Sequence, residues 1–389
     1  MTQDLTDADA PVVATTTIDV IDSLLPPAVL ARVDALRRAR ADVRDATQAS
    51  FEAIFATDDP QGLSWAEREL AAHQVAVLQC EAPLARLHAE RGRALGLPEE
   101  ALAAASHGAA GHGDPRRQAL LQFVERLTLA PFDAQPAHLE ALAAQGLAPA
   151  DIVTLAQLVA FVNYEVRLLA GLRALADFTD VPPGTPGLAL LPGRNETPVR
   201  HHPQVAYTTD VLQWSSWLPV VDPARANADQ LAVLDESHAS ARTSPYYLTL
   251  VHNPVVLRHR SRLFNAIMYG RGGLPRAERE LATLGVSLVN GCPYCASVHA
   301  RLFAQLTHEP QVVQSLFEQG LNVRLSPRRR ALLDLGVNLS ANPPAGVQAS
   351  VAAARDAGLS AQETLDGLHA AAIFAWANRL MQTLGEPAR

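Results

Sequence analysis

The chain has 389 residues, 48% of them hydrophobic and 19% charged, with a formal net charge of −8 and a pI near 5.9. That length suits two domains, and the composition supplies full globular cores. The acidic balance offers no basic face for nucleic acid. Three cysteines make no extracellular disulfide framework. No apolar run of about twenty residues stands out as a membrane span. Residues 1–14 lack the basic start and apolar run of a secretory signal, so the expected localisation is cytoplasmic.

Residues 1–25 read as an N-terminal arm. From 26 to 180 the good helix formers dominate. Apolar residues recur at threes and fours, as at Leu155, Leu158, Val159, Val162, Val166 and Leu169. Gly92, Gly96 and Gly146 read as helix stops in this half, as do Gly320 and Gly358 in the second. Asp151, Ser326 and Ser360 look like helix starts. Cys80 reads as a lone core cysteine, and His107 and His112 as parts of a Gly/Ala-rich loop. Residues 181–209 hold Pro182-Pro183-Gly184, Pro186-Gly187, Pro192-Gly193 and Pro203, which mark an interdomain linker. Its apolar stretch 188–191 is placed to clip onto one domain. Residues 210–389 return to helical composition. No alternating strand pattern is evident, so the expected fold class is all-α, with six to eight helices in each domain.

The chain also contains itself twice. Ala66-Glu67-Arg68-Glu69-Leu70-Ala71 recurs 211 residues later as Ala277-Glu278-Arg279-Glu280-Leu281-Ala282. The same offset pairs Val75 with Val286 and His88 with His299, and an offset of 212 pairs Tyr164 and Arg167 with Trp376 and Arg379. A period this long is a duplicated domain, not a solenoid unit. It implies an internal pseudo-dimer, with further homo-oligomerisation expected.

The second copy carries Glu280, Cys292, Cys295 and His299 within twenty residues. Residues 277–290 read as a helix stopped by Asn290-Gly291. Pro293 suits the first position of the next helix. Cys292 then sits at the N-cap and Cys295 in the first turn, where free N–H groups and the helix dipole favour a thiolate. His299, four residues past Cys295, shares its helix face. An imidazole there can exchange a proton with the thiol. Glu280, on the preceding helix, can fix the tautomer of His299. Its neighbours Glu278 and Arg279 read as solvated, and Tyr294 as a pocket wall. The pattern is a thiol redox centre with a proton relay; a zinc half-site and a pair of core cysteines are the plainer alternatives. No metal ligand set is complete.

Glu280, the Cys-x-x-Cys pair and His299, with a closing helix that contains Phe374-Ala375-Trp376-Ala377-Asn378-Arg379-Leu380, resemble the AhpD-like alkylhydroperoxidases of the carboxymuconolactone decarboxylase superfamily. Ser244-Pro245-Tyr246-Tyr247 and His252-Asn253-Pro254 are also similar to peroxidase-related members. The resemblance covers residues 255 to 385 and departs from some members at Tyr294, where they have histidine. It implies two tandem AhpD-like helical domains and a thiol-dependent hydroperoxide reductase without bound cofactor. An external dithiol protein, lipoyl-bearing or thioredoxin-like, would restore the thiols. It also implies that Cys295 is peroxidatic and Cys292 resolving, whereas the helix dipole favours Cys292 as the more acidic thiol.

In the first copy Glu69 and His88 hold the relay positions, but Glu81 and Leu84 replace the cysteines. This copy resembles the branch without cysteines. It reads as a degenerate structural partner. Alternatively, Glu69, Glu81 and His88 form a cofactor-free acid–base site for a decarboxylase or lactone-processing lyase. A non-enzymatic thiol switch is a third reading of the chain.

Overall fold

The computed structural model describes residues 19–106, 114–184 and 197–388. The segment with His107 and His112, expected to be a loop, the stretch 188–191 and residues 1–18 of the expected N-terminal arm lie outside the described residues. The fold is all-α. Among the described residues 18 α-helices form, nine on each side of the Pro/Gly-rich segment. That is more than the six to eight expected. The extra ones are short, such as Val20–Leu24 and Pro245–Leu250, and span too few turns to show a period. One small antiparallel sheet, also not expected, pairs strand Gln213–Ser216 with Gly385–Ala388. Four-residue strands are too short for alternation to register.

Two long helices, Pro149–Ala176 and Ala361–Thr383, form the centre. They occupy matching places in the two copies and pack on each other, so one hydrophobic core runs through both halves. Phe161 meets Trp376 edge-on at 5.1 Å between ring centroids, and Tyr164 lies 6.3 Å from Trp376. The Trp376 indole N–H donates to Gln157 Oε1 at 2.8 Å. Arg167 and Arg379 both donate to the Asn342 side chain. The helix Pro149–Ala176 is long and apolar enough to cross a membrane, contrary to the expectation that no such run exists; its most apolar window is wholly buried inside the protein.

Three further expectations are corrected. Gly92 lies inside the helix Ala82–Ala94 instead of ending it. A Cβ there would come 2.7 Å from the Leu97 side chain, so close packing explains this glycine. Cys80 is exposed, not core. It stands 211 residues before Gly291, and both have left-handed backbone, at φ 55° and 70°. Both take the left-handed turn by which a chain leaves a helix. Arg279 is buried, not solvated, and donates to the carbonyls of Ile267, Gly270 and Gly272. Its counterpart Arg68 does the same for Ile54, Pro60 and Leu63.

Across the seam, Arg40 of the first half forms a two-pronged ion pair with Asp366 at 2.7 and 2.6 Å. Beside it, His369 is buried with Nδ1 unpaired. Burial lowers its pKa to about 4; Asp366 opposes the shift, and Arg37, Arg40 and Arg279 add to it. The unfolded chain therefore binds this proton more readily than the folded one. Stability is intact above the unfolded value of about 6.5 and falls as pH drops toward about 4. The expected loss over that window is on the order of 3 kcal/mol. His369→Gln, which copies Gln157 at the matching position, is expected to flatten that part of the stability–pH curve in urea titrations. An unchanged slope would rule His369 out as the source.

Candidate active site

The helix Arg276–Asn290 ends at Gly291 in left-handed conformation, and the helix Pro293–Thr307 begins immediately after it. Cys292 is the N-cap, Pro293 the first helical residue and Cys295 the third, as the spacing predicts. The antiparallel return brings Glu280 beside His299. Glu280 Oε2 is hydrogen-bonded to His299 Nδ1, and Glu280 Oε1 accepts from Arg276 Nε at 3.1 Å. The i,i+4 spacing of Arg276 and Glu280 is a sequence signal for that second contact. Glu280 is 1% exposed, so its two oxygens need these partners. The Phe374 ring meets the imidazole edge-on at 4.4 Å. With Nδ1 engaged, Nε2 is the nitrogen left to serve the thiol side.

Both cysteines are free thiols and nearly buried. Burial pushes the Cys292 thiol well up; the adjacent Cys295 thiol adds to this, while the N–H groups of Cys295 and Tyr294 oppose it. The dipole effect at the helix start is present but loses to desolvation, so Cys292 is held as a protonated thiol at neutral pH.

The two thiols face different spaces. Cys295 and His299 line a cavity of about 530 Å³ whose walls include Tyr246, Arg260, Tyr269 and Phe374. Cys292 lines another of about 650 Å³, built partly from the first half (Arg126, Phe132) and partly from the linker (His201, His202). Tyr294 and Met381 line both and form the partition. Tyr294 is thus a wall, as expected, and burial raises its phenol pKa, which keeps it neutral. The cavity walls from Arg260 and Tyr269, and those around Cys292, come from distant segments, and no local spacing announces them. Among the described residues no group of three or more metal-ligating side chains gathers.

The first copy keeps the relay without an opening. His88 Nδ1 and Glu69 Oε2 are 2.7 Å apart, and Arg91 holds Glu69 Oε1 at 2.6 Å. His88 is 0% exposed, its Nε2 is buried without a partner, and the Phe51 and Phe55 rings cover it. Glu81 stands at the N-cap position, as Cys292 does, but its carboxylate forks with Arg173 at 2.6 Å on both prongs. Leu84 fills the place of Cys295 in the core. Glu69 and His88 are brought together; Glu81 is engaged elsewhere.

The geometry defines a tandem all-α protein with one Glu–His pair per half and the Cys-x-x-Cys pair in the second only. The carboxymuconolactone decarboxylase family model matches residues 41–126 and 254–319, so each half carries a segment similar to that family. No curated protein matches the chain.

Proposed function

We propose that the C-terminal half is a thiol-dependent hydroperoxide reductase. The observation that carries this reading is the convergence of Cys295 and His299 on one cavity, with Glu280 holding His299 from behind and a second thiol at the adjacent helix start.

In the first step His299 Nε2 takes the Cys295 proton. The thiolate attacks the terminal oxygen of ROOH and the O–O bond breaks. Cys295 becomes a sulfenic acid, and the alkoxide leaves as ROH with the proton from His299. Cys292 sulfur then displaces hydroxide from Cys295, its own proton completes a water molecule, and a Cys292–Cys295 disulfide forms. An external dithiol, lipoyl- or thioredoxin-like, reduces it by two exchanges and is itself oxidised to a disulfide. The raised pKa of Cys292 fits the resolving role, because a protonated thiol does not compete for the peroxide. A cytoplasmic setting and homo-oligomeric assembly complete the proposal.

Glu280→Gln keeps the shape but removes the charge that steadies His299. Its peroxide-dependent disulfide formation, followed by intact mass, is expected to slow by about 10²-fold or more. Parent-level rates in this variant would remove the relay from the mechanism.

A further inference from the structure

Arg260 lies on the helix Pro254–Tyr269, between two arginines that have acidic partners. Arg258 pairs with Asp229 and Glu236, and Arg262 with Glu236. Arg260 turns the other way. It is 3% exposed, and among the described residues no carboxylate pairs with it. Its guanidinium lies 5.4 Å from the Tyr246 ring centroid and 5.6 Å from that of Phe264, and it bonds Tyr247. Its Nε is buried without a hydrogen-bond partner, and so is the Tyr246 hydroxyl. Both residues line the cavity that holds Cys295 and His299.

A dehydrated guanidinium with no counter-charge is costly to maintain. Two aromatic faces hold it but supply no anion. An unpaired donor and an unpaired hydroxyl beside it are what a planar anion would satisfy, and arginine binds carboxylates by paired N–H groups. Tyr269, Phe264 and Phe374 line one part of the cavity and suit an aromatic or branched apolar body, while Arg276, Arg301 and His238 also line it.

We infer that Arg260 and Tyr246 bind the carboxylate of the substrate, so the site selects organic hydroperoxides that carry an acid group on an apolar body. This rests on the peroxidase reading for the chemistry, but not for the binding. The carboxylate end anchors on Arg260 and Tyr246 while the peroxide end meets Cys295. Arg260 is a specificity-determining residue and takes no part in the bond changes.

The test uses the reduced full-length protein and two near-isosteric probes that cannot oxidise it, 4-isopropylbenzoate and 4-isopropylbenzamide. Calorimetry is expected to show the benzoate bound at least ~10-fold tighter than the amide. Arg260→Met should erase that preference, Arg260→Lys should keep part of it, and Tyr246→Phe should weaken the benzoate several-fold. Equal affinities in the parent protein, no benzoate binding at all, or a preference that survives Arg260→Met would overturn the inference. The parent comparison needs no variant, so misfolding cannot obscure it. A second arm measures turnover of 4-carboxycumene hydroperoxide against cumene hydroperoxide. The acid is expected to be favoured through KM, with the ratio falling toward one in Arg260→Met. If the probes bind as expected but neither hydroperoxide generates the Cys292–Cys295 disulfide, the anion site stands and the peroxidase reading fails.

Discussion

Cys295→Ser is expected to end hydroperoxide consumption, a loss of several orders of magnitude. A serine hydroxyl is not ionised by an imidazole in the ground state and has no accessible oxidised form, so no sulfenic acid can arise. Cys292 is no substitute. It faces the other cavity, and burial keeps it protonated. Cys292→Ser should behave differently. One equivalent of peroxide is expected to oxidise Cys295 to a sulfenic acid that a 1,3-dione reagent traps, after which turnover stops for want of a resolving thiol. Intact mass separates the two variants directly. If Cys295→Ser consumes hydroperoxide at the parent rate, the proposed chemistry is wrong. If Cys295→Ser instead yields the trapped adduct, on Cys292, the roles of the two thiols are reversed.

Trp376→Ala is expected to destabilise the whole chain, not only the half that contains it. The side chain is fully buried against Phe161 and Tyr164 of the other copy. Removing it costs about 3–5 kcal/mol in lost transfer energy and cavity. It also orphans Gln157 Oε1, which adds about 1–3 kcal/mol where water cannot reach. Both halves share one core along this seam, so their unfolding should be coupled. Trp65 reports on the first half, and Trp214 and Trp217 on the second. Variants that keep Trp376 and one reporter each, Trp65 or Trp214, should give coincident urea transitions, shifted together by Trp376→Ala. A transition that moves only for Trp214 would show that the halves are energetically separate. Trp376→Phe retains most of the packing but not the N–H, and should recover the larger part of the loss.

The site was legible to the extent that it is local. Glu280, Cys292, Cys295 and His299 sit on two consecutive helices, where spacing alone dictates which side chains share a face. The all-α class was equally legible, because helix formers and a 3.6 period recur along most of the chain. Arg260 and Tyr246 reach the cavity through tertiary packing of earlier helices; the run Ser244-Pro245-Tyr246-Tyr247 stood out only by resemblance, and no local spacing turns Arg260 inward. The Cys292 cavity is assembled from Arg126, Phe132 and His201, which are far apart in the chain. Cys80 misled for a related reason. Its apolar neighbours suggest burial, but a left-handed φ at a helix end is set by the backbone turn, which hydropathy does not encode. In the order of the two thiols, helix-dipole reasoning omitted the desolvation that decides the shift at Cys292.

The seam where Tyr164 of one copy meets Trp376 of the other has an evolutionary consequence. In a symmetric homodimer every substitution appears twice, and a contact across the axis must be self-complementary. Fusion into one polypeptide lifts that demand. Tyr and Trp can diverge at matching positions and still fit, because each faces a fixed and different partner. The same freedom reaches the sites: one copy can close over His88 and exchange thiols for Glu81 and Leu84 while the other keeps its cavity. One polypeptide can thus carry what two identical subunits cannot: one Glu–His pair that opens on a cavity beside a thiol pair, and one closed over by aromatic rings.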